Sequence, residues 1–401
     1  DVYSPSPIDD IISLCILLYE KGYEDVRGEE ALHSGTYKLR VGIEEYCDFS
    51  YVPKNIYNNI PTKEINGFSV TQPTFIYIDL LRQVTDPIIS FWRIEKQFKR
   101  FHLLLKHYPL PFINKPIKTT AINPLLDTVY NYLLDKKSMI VVGLYAYNHF
   151  VTNSDNKQNK SKYNQVKVPY YEIISTNYRE DALELIKLLK TFSSNIKTVE
   201  HYPFFQYFGY SVHIYDKEEL IAVIYHYNKR CVPYLKVPAI NFNDKSTNKT
   251  KSTMIIGTYA TTLLYALTNV IKSKVDKDED KKDLNYTIIS HMIQIRNAYF
   301  KNNKKNLLDD TIFKDFSAEC IGHIETLEKE RQLLRKSRKS KGKPLVWRFD
   351  PTSQNKITSG YKFPNTSGNP ISYPNNLKLS GEIKIEDEYE EENNESTDTQ
   401  I

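Results

Sequence analysis

The first part of the chain alternates between the hydrophobic spacing of helices and that of strands. SPSPIDDIISLCILL has apolar residues at three- and four-residue steps, with a proline in its first turn, and predicts a helix that Ser6 caps and that ends near Gly22. TYKLRVGI and EYCDFSYVP alternate residue by residue and predict two strands. After a segment that reads as loop, TDPIISFWRIEKQFKRFHLLLKHY predicts a long helix over residues 87–106. The prolines that follow predict a domain boundary at residue 111.

The same mixture of periods continues to residue 350. SMIVVGLYAYNHFV predicts a strand that turns at Gly143 into a helix, and VPYYEIIS with NYREDALELIKLLKTF predicts a strand and a helix capped by Asn177. GYSVHIYD and ELIAVIYHY predict two more strands, whereas TMIIGTYATTLLYALTNVI and FSAECIGHIETLEKERQLLRK predict helices. From residue 351 small, polar and acidic residues prevail and predict disorder. We therefore expect an α+β (mixed α/β) protein with segments 1–111, 112–350 and 351–401.

Two stretches of the chain repeat one plan. DVYSPSPIDDIISLCILL and EIISTNYREDALELIKLL each have a charged residue, two strand residues, a serine, a short acidic turn and an amphipathic helix. Asp1 falls opposite Glu172, and Ser4 falls opposite Ser175. Similarity between two strand–helix units also arises by chance, so the repeat alone is moderate evidence for a duplicated domain.

Charge and cysteine usage narrow the classes of partner and compartment. The formal net charge is +5, but KERQLLRKSRKSKGK is strongly basic and the tail IEDEYEEENNESTD is strongly acidic. The body without its tail is therefore more basic than the total, which favours a polyanionic partner. The four cysteines are far apart and form no CxxC pair, which argues against a zinc ribbon or a disulfide framework and fits a reducing compartment. No apolar run approaches the ~18 residues of a membrane span.

Asp48 is the first candidate for chemistry, because it is an acidic residue in the otherwise uncharged stretch YCDFSYVP. An aspartate in a strand is more often an edge or turn residue. The alternative is a metal site in which carboxylates on neighbouring strands hold Mg²⁺ for attack by a 3′-hydroxyl. The plan of strand, glycine turn, helix, strand and aspartate resembles that of nucleotidyltransferases, and Asp1, on the preceding strand, is the natural partner of Asp48.

Basic residues supply the second set of candidates. In the helix predicted over 87–106, one face carries Phe91, Ile94, Phe98, Phe101 and Leu105, which predicts a core face, and the other carries Arg93, Lys96, Arg100 and His107. The basic face is either a solvated stripe or a clamp on triphosphate or RNA backbone. Lys54 is a further candidate for phosphate contact. The segment 329–343 is either a solvated helix end or an RNA-binding element, with Arg335, Lys336, Arg338, Lys339 and Lys341 as candidates.

Taken together, YEKGY, DFSYVPKNIY and RIEKQFKRFHLLLKHYPLP resemble the poly(A) polymerase catalytic subunits of large DNA viruses, of giant-virus and asfarvirus type, and more remotely the poxvirus enzyme. The resemblance is strong over residues 1–112 and weaker to about residue 350. It implies that an Asp-x-Asp pair and an aspartate in a DxSYxP strand hold the metal. Asp1 matches the second member of the pair and Asp48 the third carboxylate. The first member and the glycine-rich turn are expected upstream of residue 1.

The resemblance also implies a domain organisation, a reaction, an oligomeric state and a location. It implies two nucleotidyltransferase-like domains in tandem, the first without its N-terminal strand and glycine turn, and the second degenerate, with Glu172 and Tyr170 where the pair is needed. It implies a polynucleotide adenylyltransferase that transfers AMP from ATP to an RNA 3′ end with Mg²⁺ or Mn²⁺. It further implies that the protein forms a homodimer, and that it is present in the virion and in the host cytoplasm at the viral factory.

Two alternatives stay open. A CCA-adding or oligoadenylate-synthesising nucleotidyltransferase would differ in nucleotide selectivity. A non-catalytic RNA-binding scaffold would lack the glycine-rich turn and the aspartate two residues before Asp1.

Overall fold

The protein is represented by a computed structural model. It describes residues 1–32, 35–52, 54–88, 90–110, 113, 115–117, 122–134, 136–154, 163–201, 210–227, 231–244, 252–306, 309–314, 316–322, 326–342, 345–352 and 370–372. These residues form two compact units. The first contains the described parts of 1–58 and 326–352, and the second contains those of 59–322 together with 370–372. The mixed α+β class predicted from the sequence is confirmed. The boundary at residue 111 stays a prediction.

Helices and strands alternate along the whole described chain. The strands are β1 (Val2–Ser4), β2 (Val26–Glu30), β3 (Thr36–Val41), β4 (Glu44–Tyr51), β5 (Thr62–Ile65), β6 (Phe68–Thr71), β7 (Met139–Val142), β8 (Tyr171–Ser175), β9 (Ile196–His201), β10 (Ser211–Asp216), β11 (Glu219–His226), β12 (Cys231–Pro238), β13 (Thr253–Gly257), β14 (Cys320–Gly322), β15 (Arg348–Phe349) and β16 (Pro370–Ser372). The helices are α1 (Pro7–Glu20), α2 (Lys54–Tyr57), α3 (Pro73–Val84), α4 (Ile94–His107), α5 (Leu125–Leu134), α6 (Gly143–Asn153), α7 (Tyr178–Phe192), α8 (Tyr259–Val275), α9 (Glu279–Asn303) and α10 (Leu327–Ser340).

The first unit contains a five-stranded sheet with the order β1-β4-β3-β2-β15. β1 runs parallel to β4, and the remaining neighbours are antiparallel. Helix α1 packs against β2, β3 and β4, so one face of this sheet is a core face. The buried side chains of that core are Ile8, Ile11, Cys15, Val26, Tyr37, Leu39, Phe49 and Trp347. Because successive side chains of a strand point to opposite faces, the strand residues that alternate with these core residues lie on the other face of the sheet.

The second unit contains a nine-stranded sheet with the order β14-β12-β13-β7-β8-β11-β10-β9-β16. Its stretch β8-β11-β10-β9-β16 repeats the order β1-β4-β3-β2-β15, and again the first pair is parallel while the others are antiparallel. β7 lies antiparallel beside β8 and leads into α6 at Gly143, as predicted. The duplicated topology agrees with the repeat seen in the sequence.

The structure corrects the region before and within the predicted helix 87–106. The segment read as loop contains α3, with Pro73 at its first position, and the β5–β6 hairpin. Residues 87, 88 and 90 lie outside the helices, and a 3₁₀ turn, Phe91–Arg93, precedes α4. Of the predicted core face, Phe101 is buried, whereas Phe91 is 62% exposed.

Three further expectations are corrected or fall outside the described chain. Residues 253–257 are a strand before α8, and residues 320–322 pair with β12 before α10 begins. That pairing joins Cys231 and Cys320 in a disulfide, although 89 positions separate them in sequence. The predicted disordered tail lies outside the described residues except for 351–352 and 370–372. Among the helices that are described, none is both long and apolar enough to span a bilayer.

Candidate active site

Of the two predicted metal ligands, Asp48 lies in β4 and Asp1 directly precedes β1, the strand that runs parallel to β4. In the parallel pair of β1 and β4, Val2 is in register with Phe49. Continued by one residue, this register places Asp1 beside Asp48, on strands about 4.8 Å apart. Since Phe49 points into the core, both aspartates lie on the face opposite it. Asp1 is exposed and Asp48 is half-buried, so both carboxylates can reach a ligand.

A row of charged residues crosses this face of the sheet. Lys38 of β3 is directly opposite Asp48, Glu29 of β2 is opposite Lys38, and Arg348 of β15 is opposite Glu29. With Asp1, the row therefore reads two negative charges followed by alternating positive and negative ones. Directly opposite side chains are close enough to interact, so the row is one electrostatic unit.

Lys38 is held in this row by a neighbouring ion-pair network. Its Nζ donates to Glu45 Oε2 at 2.7 Å, and that bond lowers the pKa of Glu45. Arg40 donates both to Glu45 and to Glu29. The ammonium of Lys38 is thus held by Glu45, three positions before Asp48 on β4.

The turn between β1 and α1 is fixed by a serine and an aspartate. The Ser4 hydroxyl donates to the Asp10 carboxylate and accepts the backbone N–H of Ser6 at 2.8 Å. Ser6 occupies the capping position but makes no side-chain capping bond, so the predicted cap is wrong. Because Ser4 ends β1, this arrangement fixes the strand that carries Asp1.

The second sheet contains the same turn. The Ser175 hydroxyl donates to Asp181 Oδ2 at 2.7 Å and accepts the backbone N–H of Asn177 at 3.0 Å. Asn177, like Ser6, makes no side-chain capping bond. Glu172 lies three residues before Ser175, as Asp1 lies three before Ser4, and its neighbour in the register of β8 and β11 is Val223. The position equivalent to Asp48 therefore carries no carboxylate.

Glu172 is buried and fully engaged in the second sheet. Its Oε2 accepts bonds from Tyr225 Oη and from Asn269 Nδ2, each at 2.8 Å. Gly143, which has a φ of +62°, lies so close that a Cβ there would come within 2.6 Å of Glu172 Oε1. The space between the glycine turn and the carboxylate is filled. This is the geometry of a structural residue.

The predicted phosphate-binding residues are distributed over both units. Lys54 is exposed at the start of α2 in the first unit. Arg93 ends the 3₁₀ turn, and Lys96 and Arg100 are exposed on α4, all in the second unit. The structure therefore does not bring these residues together in one unit.

The predicted RNA-binding residues lie on or directly after α10, and one of them needs correction. Arg335, Lys336, Lys339 and Lys341 are exposed. Arg338 is buried and forms a bidentate pair with Glu30, at 2.6 and 3.1 Å. Its guanidinium is occupied in anchoring α10, so Arg338 is not available to RNA.

The donor set fits a divalent cation of the hard type. Mg²⁺ prefers oxygen ligands and is commonly held by one or two carboxylates together with water and phosphate oxygens. Asp1 and Asp48 supply two such carboxylates on one face. Within the described part of the chain no group of three His, Cys, Asp or Glu side chains is arranged to hold a metal.

Lys38 and its ion-pair partner Glu45 were not predicted from the sequence. TYKLRVGI does show that Lys38 points away from the core, because it alternates with tyrosine and leucine. The sequence does not show which residue of β4 lies opposite Lys38, because the register of β3 and β4 shifts between Leu39 and Arg40. Without that bulge, Lys38 would face Cys47.

Comparisons with known proteins agree with this architecture. Residues 1–90 match the family model described as "Poly(A) polymerase catalytic subunit". Residues 103–381 match the model described as "APMV, Putative poly(A) polymerase, catalytic subunit, C-terminal".

Individual relatives match the chain over different lengths. It is 32% identical to the "Putative poly(A) polymerase catalytic subunit" of Acanthamoeba polyphaga mimivirus, over 96% of this chain and 72% of that protein. The protein of the same description from African swine fever virus (isolate Tick/Malawi/Lil 20-1/1983) is 32% identical over 30% of this chain and 26% of its own. Among solved structures, the Megavirus polyadenylate synthase matches with a TM-score of 0.78 and 29% identity, over 94% of this chain and 77% of that one.

Proposed function

This chain belongs to the poly(A) polymerase catalytic subunits of large DNA viruses, and we propose that it extends RNA 3′ ends with AMP from ATP, without a template, in mRNA processing. The observation that supports the proposal is the parallel register of β1 and β4, which, continued by one residue, has Asp1 beside Asp48 on the face opposite the core. The second sheet has a valine at the position of Asp48, which favours the first sheet as the place of the chemistry.

The reaction has a simple balance of bonds. The 3′-hydroxyl oxygen attacks the α-phosphorus of ATP, a phosphodiester bond forms, the bond to the bridging oxygen breaks, and pyrophosphate leaves while the hydroxyl proton passes to solvent. Asp1 and Asp48 would hold divalent cations through their carboxylate oxygens. Two divalent cations such as Mg²⁺ or Mn²⁺, when bound, supply the positive charge that the attacking and leaving oxygens need.

Basic side chains outside the sheet bind the polyanions in this proposal. Lys54, Arg93, Lys96 and Arg100 contact phosphates of ATP or of the RNA end, and the exposed residues of α10 bind RNA backbone. Each phosphate contact releases counterions, so RNA affinity falls with salt in proportion to the number of contacts.

The test is primer extension with the full-length protein. A short RNA is incubated with each labelled nucleoside triphosphate, with Mg²⁺ or with a chelator. We expect ATP to be incorporated in long tracts, and Asp1→Asn to abolish incorporation while Asp9→Asn, an exposed carboxylate on α1, leaves it intact. Incorporation of CTP before ATP would favour a CCA-adding enzyme. An active Asp1→Asn variant would contradict the assignment of the site.

The RNA-binding part has its own test. Changing Arg335, Lys336 and Lys339 together to Gln should flatten the slope of log affinity against log salt by about three contacts' worth. Arg338→Gln serves as the contrasting variant, because it should lower the melting temperature and leave that slope unchanged. A homodimer and packaging in the virion stay predictions from resemblance, and sedimentation of the purified protein tests the first.

A further inference from the structure

One charged residue of the first sheet has no place in the function proposed so far. Lys38 lies directly opposite Asp48 and on the same face, so it belongs to the row that contains both candidate metal ligands. Its side chain is 23% exposed and can therefore reach a bound molecule. It is a cation next to the position where a nucleotide and an RNA end must meet.

The second sheet shows what this position looks like where no site is formed. By strand order and register, the counterpart of Lys38 is His213, which pairs with Val223 on one side and Val199 on the other. His213 is 5% exposed, and the residues on both sides of it are apolar. The same strand order therefore forms without a cation at this position, whereas in the first sheet a lysine is present and pairs with Glu45.

The ion pair between Lys38 and Glu45 indicates the role of this lysine. The Lys38 ammonium donates to Glu45 Oε2 at 2.7 Å, and Arg40 donates to the same carboxylate. A lysine committed to Asp48 would compete with a metal for that carboxylate. A lysine held beside it leaves Asp48 free and presents a positive charge to an anion.

We propose that Lys38 is a substrate-binding residue of the active site, whose ammonium bonds a phosphate oxygen next to Asp48, with Glu45 as its positioning residue. The inference rests on the proposed function and deepens it. The shared chemistry is a phosphate oxyanion, which either the triphosphate of ATP or the last phosphodiesters of the RNA can supply. Charge-assisted bonds to phosphate are stronger than neutral ones, so their loss is measurable.

The experiment uses the full-length protein with Lys38→Met, which keeps the aliphatic stem, and Lys38→Arg, which keeps the charge. Lys63→Met is the matched control, since Lys63 also lies on a strand but is exposed in the β5–β6 hairpin. KM is measured for ATP at saturating RNA and for RNA at saturating ATP, together with kcat and the melting temperature.

We expect Lys38→Met to raise one of the two KM values by about tenfold or more, as loss of a bond to a charged group does, with kcat changed far less. A raised KM for ATP identifies the triphosphate, and a raised KM for RNA with a flatter salt dependence identifies the RNA backbone. Lys38→Arg should recover most of the loss, and Glu45→Gln should raise the same KM by a smaller factor.

The experiment distinguishes failure of the Lys38 proposal from failure of the proposed function. If the wild-type protein polymerises AMP and Asp48→Asn does not, but Lys38→Met matches Lys63→Met in both KM values, the Lys38 proposal is overturned and the proposed function stands. If the wild-type protein does not polymerise, or Asp48→Asn polymerises normally, both are overturned. Should Lys38→Met melt far below the wild type, the folded Lys38→Arg and Glu45→Gln variants decide, because unchanged KM values in both would contradict the proposal.

Discussion

The two sheets of this protein share their strand order, the parallel pairing of their first two strands and the serine–aspartate turn that follows. They differ in the row that crosses the middle of the sheet. In the first unit that row contains Asp1, Asp48 and Lys38, whereas in the second it contains Glu172, Val223 and His213.

The difference separates what the fold needs from what the chemistry needs. The serine–aspartate turn occurs in both sheets, so it serves the connection from strand to helix. The carboxylate beside Asp1 occurs only in the first, so the fold does not require it. Where the carboxylate partner is missing, the remaining Glu172 is buried and its acceptor is used by Tyr225 and Asn269.

The sharpest test of the comparison is the loss of one carboxylate from each sheet. We expect Asp48→Asn to lower the rate of AMP addition by roughly 10³-fold or more, because it removes a ligand of the cations that stabilise the transition state. Glu172→Gln should leave the rate within about twofold, since that carboxylate makes only structural bonds. Primer extension at saturating ATP measures both. A folded Glu172→Gln protein without activity would contradict the comparison.

Acid should act on the second unit through its buried histidines. Burial holds the pKa of His213 well below its usual 6.5, with Lys281, His201 and Lys272 adding to the effect, and lowers that of His149 to about 4. The unfolded chain therefore binds protons that the folded unit does not, so stability is full above about pH 6.5 and falls as the pH drops below it.

The size of this effect is up to roughly 1.4 kcal/mol per histidine for each pH unit below 6.5. Denaturant unfolding of the full-length protein between pH 7.5 and 5 measures it. His213→Leu should flatten the dependence, whereas a change at the exposed His102 to Gln should not. If the pH dependence of stability were unaltered in His213→Leu, burial of His213 would not be a cause of the loss of stability at low pH.

The buried carboxylate predicts a smaller difference in stability between the sheets. Glu172→Ala leaves Tyr225 and Asn269 without their shared acceptor, which should cost about 1–3 kcal/mol. Asp48→Ala should cost about 0.5 kcal/mol or less, as expected for a half-exposed side chain away from the core. Thermal unfolding compares the two, and equal losses would remove the distinction between a structural and a functional carboxylate.

The shared turn predicts the smallest effects, and they should be alike. Ser4→Ala and Ser175→Ala each remove two hydrogen bonds of the same geometry, and each should lower the free energy of unfolding by about 1 kcal/mol. Denaturant titration of the two variants measures the match. A large loss of activity in Ser4→Ala without a loss of stability would show that the turn has a catalytic part in one sheet only.

Several elements of this fold were readable from the pattern of the chain. Alternation predicted the strands around Asp48 and around His213, and helical spacing predicted α1 and α7, because both periods are set by which side chains face a core. The repeat of a charged residue, a serine and an acidic turn predicted the duplication. The segment read as loop before residue 87 was misread, because Pro73 lies at the first position of α3.

The sequence by itself therefore determined the element types, the duplication and the candidates Asp1 and Asp48, since these depend on local periods and residue chemistry. Only the tertiary structure decided which side chains meet. The bulge after Leu39 brought Lys38 opposite Asp48, and packing turned Arg338 from a surface cation into the partner of Glu30. Register and burial arise from contacts between residues far apart in sequence, and no local pattern specifies them.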